Sequence, residues 1–359
     1  MGFSSSLLLL LALLWRSDGV EEEKFLVYAS HSGLGNQVRA LKNALVIAMM
    51  SNRTLVVPPP LHHYEIKRAS VCNNECMAEL ALKFYEEIPG NFLEIVDVKN
   101  GPPVVPYSSK FGHPVYDFTL NRCQEKAKDA CVAEDWNPFL KNPEKIVMIS
   151  SALIWPKGQW RNFGSGRLPS FAWKREAPLF AEAQAALNRP YSCLYIRHSD
   201  LFDDLYKPPE YMEKPPTPDQ RLAGRMKGFK QIADRISTDA NLHIDTAYVA
   251  SNVPSAQVCE ALKSLNVIQN CLSTPDIDPD LHRLQGAKNS TNMLPLSAQS
   301  FLDMYACSQA TEQSHCFISN ERAGGTFWAT IVEFSDDKND YHPKCTSIDE
   351  SYDFGDRMY

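Results

Sequence analysis

The sequence predicts an α/β protein assembled from two parallel-sheet units. Three observations carry this. From Phe25 to Val57 the chain reads apolar strand, glycine turn, amphipathic helix and apolar strand, and such a unit makes a right-handed crossover between parallel strands. From Cys193 to Asn270 the same alternation returns. A length of 359 residues, 44% hydrophobic and 22% charged, describes a folded chain larger than one hydrophobic core usually serves.

Leu7 to Trp15 is an apolar run too short to span a bilayer as a helix but long enough for a signal h-region, with Ser17 and Gly19 as small residues for cleavage. Residues 1–19 are therefore expected to be a signal peptide. The missing Lys or Arg ahead of the run leaves a retained short anchor as the alternative. No later segment is long and apolar enough to cross a membrane. Ten cysteines, at 72, 76, 123, 131, 193, 259, 271, 307, 316 and 345, fit structural disulfides in an oxidising compartment, with connectivity open. Cys72 and Cys76 could also begin a metal site, but no His or second pair follows at zinc spacing. Of the two Asn-x-Ser/Thr sequons, Asn289 lies in a polar loop, whereas Asn52 at the end of the first helix is expected to be too constrained to carry a glycan.

In the first unit, Phe25–Ala29 is a buried strand and Gly33 and Gly35 supply a tight turn. A helix follows with Val38, Leu41, Leu45, Ala48 and Met49 on its apolar face and Arg39, Lys42 and Asn43 on a polar one. Thr54–Val57 is the second strand. The turn thus lies at the carboxyl edge of the sheet, where open α/β sheets bind ligands. It is not a dinucleotide fingerprint, because Val38 occupies the third glycine position and no acidic residue ends the second strand. Further on, Met77–Glu87 reads as a helix, and Phe92–Val98 and Lys145–Ser150 as strands. Leu153 to Trp173 sets Trp155, Trp160, Phe163, Phe171 and Trp173 among Lys157, Arg161 and Arg167. That mixture suits either a sugar- or anion-binding face or aromatics buried between two domains.

In the second unit the strand Cys193–Ile196 ends in Arg197, His198, Ser199 and Asp200. An arginine there presents a planar fork suited to phosphate oxygens. A proline-rich loop, Pro208 to Pro218, precedes a helix over Asp219–Ile236. Strand Thr246–Ala250, helix Ala256–Leu265 and strand Val267–Asn270 follow, then a polar loop to Leu296. A helix carrying Asp303 and Tyr305 leads to strand Cys316–Ser319 and to ERAGGTFWATIVE, where a helix opening near Gly325 offers free N–H groups to an anion.

Three motifs in this order, GLGNQ, CLYIRHSD and ERAGGTFWATIVE, resemble the GDP-fucose-dependent fucosyltransferase superfamily, which holds the protein O-fucosyltransferases and the α1,2- and α1,6-fucosyltransferases. The resemblance implies a GT-B-like arrangement, two Rossmann-like domains facing across a cleft. Residues 20–188 would form the N-terminal domain on the acceptor side, and residues 189–359 the GDP-sugar-binding domain with its tail. Arg197 matches the phosphate-binding arginine; His198 stands where many members have a second arginine. Thr326 and Phe327 match the middle of a Ser-Thr-Phe-Ser type turn, with Gly325 and Trp328 replacing the flanking serines.

The resemblance further implies donor contacts from Gly33, Gly35, Arg197, Asp200, Asp303, Gly325, Thr326 and Phe327. Arg197 and Asn36 would be the catalytic pair, and His31, Asp200 and Asp203 candidate bases. The implied reaction is inverting transfer from GDP-fucose to a glycan or protein hydroxyl, with no cofactor or metal, in the ER or Golgi lumen or after secretion. The alternatives are a secreted non-catalytic binding protein of the same fold and a transferase using another GDP-sugar. A net charge of -7 argues against a nucleic-acid partner.

Overall fold

The computed structural model describes residues 22–30, 33–61, 74–87, 90–119, 137–149, 169–198, 216–238, 244–277, 294–318, 325–335 and 345–348. Strands β1 (Phe25–Tyr28) and β2 (Thr54–Val57) flank helix α1 (Leu34–Met50). Helix α2 (Asn74–Glu87) precedes β3 (Val96–Lys99), β4 (Val104–Pro106), β5 (Val115–Tyr116), helix α3 (Asn137–Leu140) and β6 (Ile146–Ile149). The first sheet runs β4-β2-β1-β6-β5 with every pairing parallel.

Then come β7 (Ser170–Trp173), α4 (Pro178–Ala186), β8 (Ser192–Arg197), α5 (Pro218–Thr238), β9 (Thr246–Ser251), α6 (Ser255–Ser264), β10 (Asn270–Leu272), α7 (Thr274–Ile277), α8 (Leu294–Ser308), β11 (His315–Ile318), α9 (Gly325–Phe334) and β12 (Thr346–Ser347). The second sheet runs β10-β9-β8-β11-β12, again all parallel. In each sheet the first strand is central and later strands lie on both sides of it. This is the doubly wound Rossmann-like order, and its repetition makes the architecture GT-B-like. No helix among the described residues is long and apolar enough to cross a membrane.

The halves share a backbone device where helix passes to strand. After α1, Arg53 N–H donates to Ala48 O and Asn52 N–H to Met49 O; after α6, Val267 N–H donates to Leu262 O and Asn266 N–H to Lys263 O. Asn52 and Asn266 have φ of 50° and 55°, the left-handed cap that asparagine tolerates better than most residues. Asn52 is exposed within this turn.

Several sequence expectations shift. Helix α1 keeps only part of its polar face: Arg39 is exposed and Lys42 partly exposed, but Asn43 is buried, whereas Met49 on the apolar face is 38% exposed. The reason is tertiary, since α1 packs on β1 and β2 and also against α9 of the other half, and a helix covered on both sides is buried nearly all round. Phe92–Val98 is not one strand. Phe92–Glu94 is a 3-10 turn capped by Asn91, and β3 pairs antiparallel with β7, outside both parallel sheets. Strand β10 starts at Asn270, where its ladder with the first residue of β9, Thr246, begins, and Val267 and Ile268 are buried in the turn before it. Gly33 has φ -63°, and Gly90 alone among described glycines has a positive φ. The GLGNQ turn therefore needs no left-handed glycine.

Phe171 and Trp173 lie in the buried core. Trp173 stacks on Phe334 at 4.0 Å between centroids, meets Phe180 edge-on at 5.3 Å, and donates its indole N–H to Ser308 Oγ at 2.7 Å. Phe180 in turn stacks on Tyr305 at 4.2 Å. These two aromatics thus join the halves; Trp155, Trp160 and Phe163 lie outside the described residues. Bridges Cys193–Cys307, Cys259–Cys271 and Cys316–Cys345 fasten the second half. Cys76 is bridged too, and no cysteine among the described residues is free. Cys123 and Cys131 lie outside them. The Cys193–Cys307 bridge spans 114 residues, a loop for which restricting the unfolded chain is worth roughly 4–5 kcal/mol in the chain-entropy account.

At the amino edge of the first sheet Arg53, 3% exposed, donates to Phe25 O (3.2 Å), Glu144 O (2.9 Å) and Asn142 O (2.7 Å). It ties the entries of β1 and β6 to β2. Arg53→Met keeps the apolar stem but removes these donors, and should destabilise the fold by about 3 kcal/mol. Urea unfolding checks this; an unchanged midpoint would contradict the role.

Candidate functional site

The strand order itself locates a site. Neighbouring connections leave in opposite directions between β1 and β6 and between β8 and β11, and open α/β sheets bind ligands outside the carboxyl ends of strands at such switch points. The GLGNQ turn leaves β1, and Arg197 ends β8 opposite Ile318 of β11, the strand that precedes α9.

At the first edge Gly33 is the N-cap of α1, with no side-chain cap and no acidic residue in the first turn, so its initial N–H groups stay uncovered by side chains. Gly33 and Asn36 are partly exposed and Gly35 is buried. Gln37, fully buried, turns its amide the other way. Nε2 donates to Leu61 O at 2.6 Å and Oε1 accepts from Leu61 N–H at 2.8 Å. Tyr85 Oη accepts from Ser30 N–H (2.6 Å) and donates to Tyr28 O (2.9 Å). Burial pushes this phenol's pKa well up, which keeps it protonated and able to donate. The exit of β1 is thus pinned from two sides.

At the second edge Arg197 is half-buried at the strand end. His198 is buried, its ring edge-on to Phe229 at 5.0 Å. Its N–H donates to Asn252 Oδ1 at 2.8 Å, and Asn252 Nδ2 donates back to His198 O at 3.2 Å. Helix α9 begins at Gly325 and Thr326. Phe327 stacks on Tyr195 at 4.9 Å and Trp328 lies parallel to it at 6.4 Å. Tyr195 shares a strand face with Arg197 by the two-residue period. Trp328, where the pattern has serine, is a core residue.

Asp303 sits in α8 over β9, 5% exposed. Its Oδ1 accepts from Tyr248 Oη and Thr274 Oγ1, both at 2.7 Å, and Oδ2 takes no hydrogen bond among the described residues. Tyr248 pairs with Cys193, four residues before Arg197, so Asp303 stands roughly 13 Å along the strand from Arg197. Helix α9 packs against α1, α8 and β7; Gly33, Gly35 and Asn36 lie at the start of α1, Arg197 ends β8, Gly325, Thr326 and Phe327 open α9, and Asp303 lies in α8. His31, Asp200 and Asp203 lie outside the described residues. Gln37, Asn252 and Tyr85 were missed by sequence reasoning. Only Gln37 carried a signal, as the last letter of GLGNQ.

No protein-family model matches the chain. A 48-residue stretch is 50% identical to O-fucosyltransferase 30 of Arabidopsis thaliana. The chain resembles the GDP-fucose-dependent fucosyltransferases. That stretch covers 13% of this chain and a tenth of the relative's length. Solved fucosyltransferase structures are similar over far more of it. POFUT1 in complex with GDP-fucose aligns over 92% of this chain and 99% of its own, at 12% identity and a TM-score of 0.48. The fucosyltransferase NodZ from Bradyrhizobium aligns over 87% and 92%, at 14% identity and 0.44.

Burial pushes the Asp303 carboxyl up to about 7, against the hydrogen bonds from Thr274 and Tyr248 that pull it down. Between its ordinary value of 3.8 and about 7, the folded state holds a proton that the unfolded chain has released. Stability from this group therefore falls as pH rises through that window and levels off above it. Asp303→Asn should abolish the fall, read as urea midpoints at about pH 5 and about pH 8. A wild-type-to-variant difference that is equal at both would contradict it.

Proposed function

We propose that the protein is an inverting glycosyltransferase that moves fucose from GDP-fucose to a hydroxyl of a glycan or protein. What carries the reading is that Arg197 and the start of α9 leave neighbouring strands at the switch point of the second sheet, while α1 brings Asn36 from the first. In the reaction the bond from fucose C1 to the β-phosphate oxygen breaks and the acceptor oxygen bonds C1 from the opposite face. Negative charge grows on the departing GDP. A fixed guanidinium and the positive end of α9 stabilise that charge more in the transition state than in the ground state.

Asn36 holds the acceptor hydroxyl, whose proton leaves late, and Gly33 and Gly35 keep the approach to it open. Asp303 keeps Oδ2 for an N–H of the nucleotide, and Asp200, three residues on in the sequence from Arg197, is assigned a donor contact. We assign the reaction to the lumen of the secretory pathway, supported by the disulfides and the N-terminal apolar run. The non-catalytic alternative rests on Gly325 and Trp328 standing where the pattern has serines; Trp328 is buried, which makes that residue a matter of packing.

In a thermal-shift panel of GDP-fucose, GDP-mannose, GDP and UDP-sugars, GDP-fucose at about 100 times Kd should add roughly 2.7 kcal/mol and raise the melting point by a few degrees. No shift with any GDP species would remove the transferase reading; an equal response to GDP-mannose with transfer of mannose would change the sugar.

In a transfer assay Arg197→Ala should lower turnover about a hundredfold with a smaller loss of donor affinity, and wild-type transfer should survive EDTA. Full turnover by Arg197→Ala would reject the assignment. Loss in chelator restored by manganese would reject the metal-free mechanism.

A further inference from the structure

The same polar device stands at both carboxyl edges. Gln37 and Asn252 each pair a side-chain amide with the backbone N–H and C=O of a single residue, Leu61 in the first half and His198 in the second. An amide can accept and donate at once, so one side chain stands in for a neighbouring strand where strand pairing has run out. What each holds is specific. Gln37 follows Asn36 directly and clasps the exit of β2 to the turn after β1; Ser30 Oγ lies 3.4 Å from its Oε1. Asn252, just past β9, clasps the residue next to Arg197, so the end of β8 is held one residue beyond its last pairings, Ile196 with Ser251 of β9 and Arg197 with Ile318 of β11. All four polar contacts are 2.6–3.2 Å long, and Gln37 is fully buried. A loose strand end would let the reacting groups wander by an ångström or so, which is enough to lower a rate a hundredfold.

We propose that Gln37 and Asn252 are paired positioning residues for the transfer reaction, Gln37 acting through Asn36 and Asn252 through Arg197. The proposal rests on the fucosyl-transfer reading. It makes the last residue of GLGNQ a strut that touches no substrate. It also adds to the site a residue from just past β9, a strand that carries none of the three sequence motifs.

The test is a set of double-mutant cycles on the full chain, using GDP-fucose and the acceptor found active for wild type. Gln37→Met and Asn252→Leu should each lower kcat roughly tenfold to a hundredfold, with GDP affinity in titration unchanged. Within one edge the losses should not multiply: Gln37→Met should have little further effect once Asn36 is Ala, nor Asn252→Leu once Arg197 is Ala. Across edges, Gln37→Met with Arg197→Ala and Asn252→Leu with Asn36→Ala, they should multiply, because those groups belong to different sheets.

A purely structural role would make the two kinds of pair alike, and that result would overturn the proposal. So would wild-type kcat in both single variants, or a loss confined to KM. Where a variant fails to fold, Gln37→Glu replaces it. Its protonated carboxyl keeps both contacts, so its kcat should fall with rising pH as that carboxyl ionises, with GDP affinity constant; a flat profile would overturn the role of Gln37. A wild type that binds GDP-fucose but transfers to no acceptor removes the reaction reading and the positioning roles together. An active wild type with multiplicative same-edge losses removes the positioning roles alone.

Discussion

The contact between α1 and α9 is what the rest of the structure depends on. Each helix starts at the carboxyl edge of its own sheet, and each would normally turn a polar face to water. Here they pack on one another, and Asn43 on α1 and Ile331 on α9 are buried. Side chains from both sheets then belong to one continuous core, from Leu26 and Tyr28 on β1 to Tyr195 on β8 and Cys316 on β11. The remaining clusters, behind each sheet, are local to their own half. The same apolar burial joins the halves and packs the helices that follow β1 and β11.

Much of this was legible in the sequence because parallel strands are apolar runs and their ends are abrupt. Phe25–Ala29, Lys145–Ser150, Cys193–Ile196 and Thr246–Ala250 all fall on strands, displaced by a residue or two, and GLGNQ, Arg197 and Gly325 all fall at carboxyl edges. The Asp303 helix and the Gly325 helix were read from the same alternation. What could not be read is whatever depends on distant pairing. Strand β3 finds its partner in β7, across the whole of the first sheet's later strands. Cys193 finds Cys307, a choice that spacing does not fix.

The polar residues at the site show the same limit in sharper form. Gln37 and Asn252 bond backbone atoms, and any residue can offer those, so nothing in the partner's identity marks the contact. Asp303 was visible as an acid on a helix before a strand. Its pairing with Tyr248 and Thr274 depends on how α8 lies over β9, which periodicity does not specify. Conversely, glycine at position 33 suggested an unusual backbone, and an ordinary φ was found.

The stacked rings of Phe171, Trp173, Phe180, Tyr305 and Phe334 also bear on motion. Proteins built from two nucleotide-type domains commonly open and shut about a hinge when the surface between them is small and wet. Here swinging the halves apart would unstack aromatic pairs, break the Trp173 to Ser308 bond and wet a core shared by both sheets, and no ligand contact is needed to hold it closed. Separating the halves would therefore expose apolar surface that both of them share.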